Sequence, residues 1–366
     1  MIKHYLLLSI LAIGLIGCQK SEDTIKIGLA GVMTGSNGQI GSAMIYGSQI
    51  AIEEWNAKGG LLGKRIEMVV RDDEGKPEKA VAVAQEISAQ GVVAVLGHFN
   101  SGCTIPSSTI YHENQILQIT PGSTNPKVTE QGFATLFRLV GRDDQVALHA
   151  ADYALRKLKI KKFAVLNNKT TYGSGVAEEF RKYALSQGAE IVLFDGVAEQ
   201  ELDFRANIAA MKAKGAEALF WGGMYDQGGP LVVQMRQDGF NIPLLSGDGM
   251  MNSELLKSLG NYGENVFISF WPDHHQIPAA QPFIQKYVAK YGAIEPYSLY
   301  GYDAANVLFT AIQKTGTTQA DQVSALLKSQ PFETLFGAIE FDQKGDLKKV
   351  NLKVWTVRAG KFVVVD

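Results

Sequence analysis

Five short stretches of this chain carry residues able to do chemistry at one place. His98-Phe99-Asn100-Ser101-Gly102-Cys103-Thr104 and Gly122-Ser123-Thr124 offer hydroxyls beside glycines, where backbone amides can approach a ligand closely. Asn167 followed by Thr170-Thr171-Tyr172-Gly173, then Gly222-Gly223-Met224-Tyr225-Asp226 and Gly247-Asp248-Gly249, offer aromatic rings and a carboxylate framed by glycines. Hydroxyls and free amides at the start of a helix hold an anion. A carboxylate facing them holds a cation. Ser101 and Thr124 set against Asp248 therefore suit a small zwitterion such as an amino acid, with Tyr172 and Tyr225 walling an apolar pocket. The same residues have plainer readings: Ser101, Thr104 and Thr124 as helix caps, Asp248 as a turn residue, the tyrosines as packing at loop bases.

Other chemistries are less well served. The glycines of Gly35-Ser36-Asn37-Gly38-Gln39-Ile40-Gly41 recur three residues apart, not as G-x-G-x-x-G, so this reads as a loop at a cleft mouth. No G-x-S-x-G elbow occurs; an exported hydrolase would have to use His98 with Ser101. Asp273-His274-His275 offers metal ligands without an accompanying H-E-x-x-H, and solvated histidines are favoured over a metal-binding protein. No catalytic set stands out, no cofactor is called for, and the chain reads as a binding protein, not an enzyme.

The five stretches gain meaning from the elements that must hold them. Ile25–Met33, Arg65–Arg71, Val92–Gly97 and Ile116–Thr120 read as strands, with helices over Gly41–Ala57, Pro77–Gln90 and Pro106–Asn114 between them. The alternation then restarts. Strands are expected at Lys162–Asn167, Glu190–Phe194, Ala218–Trp221, Leu244–Ser246 and Val266–Phe270, and helices at Asp143–Leu158, Gly175–Gln187, Phe204–Lys214 and Pro230–Asp238. Helices near Pro282–Tyr291, Tyr302–Thr315 and Ala320–Ser329 follow, then β segments at Ala338–Phe341, Leu352–Val357 and Lys361–Val365. Gln343-Lys344-Gly345-Asp346 lacks the full spacing of a calcium loop and reads as a tight turn. Strand–helix units at this spacing build parallel sheets, so the expected fold is α/β with two doubly wound lobes. Short breaks near Val140-Gly141-Arg142 and Trp271-Pro272 imply a hinge. In open parallel sheets ligands bind beyond the carboxyl ends of the strands, and the five polar stretches fall there.

The 366 residues are enough for two domains, and 46% hydrophobic content is ample for their cores. Thirty-five basic against 37 acidic side chains give a charge of -2 with no basic stripe, which argues against nucleic-acid binding. After Lys3, the apolar run from Tyr5 to Ile16 is too short for a bilayer span of about 20 residues and fits a signal-peptide core. Leu15-Ile16-Gly17-Cys18 resembles a bacterial lipobox, in which the Cys is lipidated and becomes the first residue. This implies a signal peptide over 1–17, a polar tether over 18–23, and a protein held on a membrane at the periplasm or cell surface by Cys18. Cys103 is then the one remaining thiol, so no internal disulfide is expected.

Asn56-Ala57-Lys58-Gly59-Gly60, Asp72-Asp73, Gly97-His98, Ile119-Thr120-Pro121, Tyr172-Gly173 and Phe341-Asp342 with Gly345-Asp346 occur in an order that resembles one family. It is the leucine/isoleucine/valine-binding family of type I periplasmic binding proteins, and the resemblance runs from about Thr24 to Val365. It implies that family's fold, with a hinge crossed more than once: one lobe from 24–141 and 272–338, the other from 142–271 and 339–366. It also implies a monomeric extracytoplasmic receptor that delivers an amino acid to an ABC permease. By resemblance the α-carboxylate contacts fall on Ser101 and Thr124. The ammonium contacts fall on the Gly122 carbonyl, the Thr124 hydroxyl and Asp248, and Tyr172 forms an aromatic wall. Departures bear on the side-chain pocket. Ile40 and Met224 stand where relatives place aromatic residues, Tyr225 is one residue out of register, and Asp248 is a methylene shorter than the relatives' Glu. The positions of a cleft-edge disulfide read as Gly75 and Asn100. Leucine itself is therefore not implied, and a sensor reporting an amide or small carboxylate to a regulatory partner is the alternative binding role.

Overall fold

The computed structural model describes residues 23–366; the expected signal peptide, Cys18 and all but the last residue of the expected tether lie outside the described residues. The first round of alternation forms β1 (Thr24–Gly31), α1 (Gly38–Ala57), β2 (Arg65–Asp72), α2 (Pro77–Ala89), β3 (Ala94–Leu96), α3 (Ser101–Glu113), β4 (Leu117–Thr120), α4 (Lys127–Glu130) and β5 (Leu136–Arg138). Its strands pair in the order β2-β1-β3-β4-β5, all parallel. The second round forms α5 (Asp143–Arg156), β6 (Lys162–Asn167), α6 (Thr171–Ser186), β7 (Glu190–Gly196), α7 (Arg205–Ala213), β8 (Ala218–Gly222), α8 (Tyr225–Gln237), β9 (Leu244–Ser246), α9 (Ser253–Leu259) and β10 (Val266–Phe270). The chain returns to the first sheet as α10 (Gln281–Tyr291), α11 (Pro296–Thr315) and α12 (Ala320–Ser329), with the hairpin β11 (Phe332–Thr334) and β12 (Gly337–Ile339). It ends in β13 (Lys353–Arg358) and β14 (Lys361–Val364), which join the second sheet antiparallel beyond β10 to give β14-β13-β10-β9-β8-β6-β7.

Both sheets are doubly wound, as expected. β1 lies between β2 and β3, and β6 between β7 and β8, so each sheet has a switch point where successive crossovers leave in opposite directions. β3, β4, β8 and β9 are buried throughout, which is why they read as unbroken apolar runs.

Two helix starts differ from the sequence expectation in the same way. α3 and α8 begin at Ser101 and Tyr225, each five residues ahead of the proline that marks a first turn in the sequence. Pro106 and Pro230 instead sit inside their helices, where each lacks the N–H that would bond the carbonyl four residues back. α11 also starts early, at Pro296 and not at Tyr302. It packs closely along α1. A Cβ on Gly47 would lie 1.8 Å from the Ser298 carbonyl oxygen, and one on Gly301 would lie 2.0 Å from that of Met44. Only glycine permits this approach, and it fixes the start of α11 relative to the first sheet.

Between β12 and β13 the chain packs on β5. Phe341 meets the Phe137 ring edge-on at 5.1 Å, and Asp346 pairs with the buried Arg138 at 2.8 Å. Asp342 Oδ1 accepts the N–H groups of Lys344 and Asp346 at 2.8 and 3.0 Å, so this carboxylate closes a turn.

Candidate ligand-binding cleft

The carboxyl ends of the two sheets face each other across a cavity of about 650 Å³, within the usual range for a small-molecule pocket. The first sheet supplies Ser101 as the first residue of α3, nearly fully buried, with its Oγ accepting the Asn125 N–H at 3.2 Å. The N-cap of α3 is Asn100, so Ser101 does not act as a cap. Gly122 lines the same wall, where a Cβ would lie 2.4 Å from the Phe99 ring. Any side chain there would displace that ring. Thr124 is wholly buried.

The second sheet supplies Tyr172, Met224 and Asp248, which also line the cavity. Thr170 caps α6 through the Gly173 N–H at 2.9 Å, which sets Tyr172 in the first turn. The Tyr172 hydroxyl donates to Asp248 Oδ1 at 3.1 Å and accepts the Gly249 N–H at 2.9 Å. Asp248 Oδ2 accepts a hydrogen bond from Tyr297 at 2.5 Å. Burial raises both tyrosine hydroxyls far above their ordinary range, so both remain donors. Burial also lifts Asp248 to about 6, with the hydrogen bonds from Tyr297 and Tyr172 pulling the other way.

The remaining site expectations fall elsewhere. Ile40, in the first turn of α1, is buried in the core, and neither Ile40, Thr124 nor Tyr225 is part of the cavity wall. Tyr225 reaches across to the first lobe, donating to the Ser36 carbonyl at 2.9 Å. Two further ties span the cleft. Asn125 Nδ2 donates to the Thr171 carbonyl at 3.0 Å. Glu295, just ahead of α11, accepts from Gln39 at 3.1 Å and from Ser253 and Asn252 of the facing lobe. The structure is thus a closed one.

The cavity lining also carries charged side chains. Glu78, Glu199 and Asp226 line it alongside Lys76 and Lys169, and burial, then Asp226 and Glu78, raise the Glu199 carboxyl.

The hydrolase alternative needs His98 to reach Ser101. Both His98 nitrogens are engaged elsewhere, with Asp73 at 2.6 Å and Tyr111 at 3.0 Å. The His274 and His275 rings lie 4.3 Å apart at a tilt of 39°, and among the described residues no group of three or more His, Cys, Asp or Glu is arranged to hold a metal. Cys103 is buried and burial pushes its thiol far up, which makes it unreactive.

Sequence reasoning missed Tyr297 and Glu295, which reach Asp248 and the facing lobe. A proline at the first helical position was the available signal for both, since Pro296 starts α11 and brings its first turn to the cleft.

The Periplasmic binding protein family model matches residues 24–361. An amino acid binding protein of Pseudomonas aeruginosa is 41% identical over 329 residues, covering 88% of this chain and 87% of that protein. Leu/Ile/Val-binding protein homolog 1 of Brucella abortus is 38% identical over 325 residues, covering 88% of each. Among solved structures, a leucine binding protein of Thermotoga maritima superposes with TM-score 0.87 at 27% identity, covering 93% of this chain and 98% of that one. A branched-chain amino acid transporter substrate binding protein of Streptococcus pneumoniae, in complex with isoleucine, gives TM-score 0.84 at 27% identity over 93% and 99%.

Proposed function

This chain belongs to the periplasmic binding protein family, and from that premise we propose that it captures a small amino acid in the cleft and delivers it to an ABC importer. The observation that carries the reading is Asp248, a buried carboxylate facing a cavity of about 650 Å³ whose opposite wall holds Ser101 at the start of a helix and Gly122 just after β4. Such an arrangement matches a zwitterion end for end. The ligand carboxylate takes the Ser101 hydroxyl and the first amides of α3, and the ammonium takes Asp248 and the Gly122 carbonyl.

The names of its relatives make branched-chain and small neutral amino acids the first ligands to try. Met224 in the wall and the charged lining leave the side-chain preference open to more polar members of that set. Closure of 24–141 with 272–338 against 142–271 with 339–366 buries the ligand, and the closed form is what a permease recognises. Lipidation at Cys18 keeps the receptor, as a monomer, on a membrane surface at the periplasm or cell exterior. A thermal-shift screen over the common L-amino acids tests the reading. At least one is expected to raise Tm, and no shift with any of them would defeat it. Loss of membrane association in Cys18→Ser tests the anchor separately.

A further inference from the structure

The lining of the cavity is unbalanced in charge. Glu74, Glu78, Glu199, Asp226 and Asp248 stand in it against Lys76 and Lys169. Glu74 is taken up by Lys76 and Lys79. Among the described residues Glu78, Glu199 and Asp226 form no ion pair, and Asp226 accepts only the N–H of its neighbour Gln227, at 3.0 Å. Lys169 is the remaining cation of the lining, and its stem leans on the end of β7, where a Cβ on Gly196 would lie 2.8 Å from Lys169 Cε.

Glu78 comes from the first turn of α2 on the first lobe, Asp226 from the first turn of α8 and Glu199 from the loop after β7 on the second. Asp226 and Glu78 both act on the Glu199 carboxyl, whereas Asp248 does not. The three therefore form an anionic region that spans the cleft and is separate from the head-group carboxylate. A zwitterion leaves this region unanswered, since its ammonium goes to Asp248 and its carboxylate to Ser101. Nor do the three converge as metal ligands, for among the described residues no group of three or more His, Cys, Asp or Glu is arranged to hold a metal.

A second observation points the same way. Asn37 and Asn100 also line the cavity, at the N-caps of α1 and α3, yet neither side chain caps its helix. An asparagine at that position ordinarily spends its oxygen on a helix N–H. Here both Oδ1 atoms are buried without a hydrogen-bond partner. Carboxylate and amide oxygens are acceptors, and what these lack is a donor.

We propose that the cleft takes an amino acid whose side chain ends in a cation, with Glu78, Glu199 and Asp226 as its counter-charges and the Asn37 and Asn100 amide oxygens as further acceptors. This rests on the amino-acid reading above and extends it past the neutral side chains. A guanidinium fits the set best, because it spreads one charge over several N–H donors and is weakly hydrated. Spanning groups from both lobes, it also favours their closure.

Calorimetric titration with L-arginine, L-citrulline and L-leucine at pH 7.5 tests this, since citrulline keeps the length of arginine and replaces the guanidinium by a neutral urea. Arginine is expected to bind at least about tenfold more tightly than either of the others, and the margin is expected to narrow as salt is added. In the double variant Glu199→Gln/Asp226→Asn the arginine-to-citrulline ratio is expected to fall to about threefold or less. If that variant does not fold, Glu78→Gln is expected to lower the same ratio at least about threefold. Citrulline or leucine binding as tightly as arginine, or a ratio unmoved in the folded variant, would overturn the inference while leaving the amino-acid reading intact. Absence of binding by every common L-amino acid defeats both.

Discussion

The Tyr297 hydroxyl donates to Asp248 Oδ2 at 2.5 Å, joining a helix packed on the first sheet to a carboxylate at the end of the second. The cation site is therefore completed only when the lobes come together. A hydrogen bond to a charged acceptor is worth about 1.5–3 kcal/mol, or roughly one to two pKa units. Removing a donor to the ionised form raises the carboxyl further above 6. In Tyr297→Phe the acid limb of ligand affinity is expected to move upward by about one pH unit, read by calorimetric titration between pH 5 and 8. An unmoved limb would mean that Tyr297 does not tune Asp248.

Glu295 is the busiest tie across the cleft, meeting Gln39 on its own side and Asn252 and Ser253 on the other. Glu295→Gln removes the charge that draws these donors together. The ligand-free variant is expected to show a larger radius of gyration by small-angle scattering, with ligand affinity lowered by less than tenfold. A radius equal to wild type would show that closure is set elsewhere.

Arg138 and Asp346 form a buried pair at 2.8 Å, which pins the segment before β13 onto β5. Breaking one partner strands the other, which costs about 3–5 kcal/mol. Arg138→Met and Asp346→Asn should each lower the urea midpoint substantially, and the double variant should lose less than their sum. Strict additivity would argue that the two act independently.

Asp303 on α11 is fully buried, accepts only the Leu335 N–H, and is pushed up to about 8 by burial. Between about 4 and 8 the folded protein keeps a proton that the unfolded chain has lost, so this group's contribution falls as pH rises, by about 1.4 kcal/mol per unit. Asp303→Asn cannot ionise. Its urea midpoint should therefore fall less steeply from pH 5 to 8 than the wild-type midpoint does. Parallel curves would show that Asp303 is ionised throughout.

The α/β class was legible because fully buried parallel strands are short apolar runs, as in Ala218–Gly222, and because helices between them keep their 3.6-residue period. The polar stretches were legible too, since Ser101, Gly122, Tyr172 and Asp248 all follow strand ends. What the sequence concealed is long-range. Tyr297 lies 49 residues from Asp248 in an aromatic run that carries no polar pattern. Its place at the cleft depends on the glycine-mediated packing of α11 on α1. Asp143 read as an ordinary helix start, and only three-dimensional packing shows that its carboxylate is wholly buried. Tyr225, one residue out of the expected register, became a tie to Ser36. β5 and β11 each have three residues, too few to show a period, whereas β12 overlaps the segment expected at Ala338–Phe341.

The most direct test of the amino-acid cleft is calorimetric titration of the ligand giving the largest thermal shift into wild type and Asp248→Ala. The account predicts one saturable site in the wild type and affinity at least a hundredfold lower in a folded Asp248→Ala, because a buried ammonium then loses its counter-charge. Equal affinity in the two proteins would contradict it.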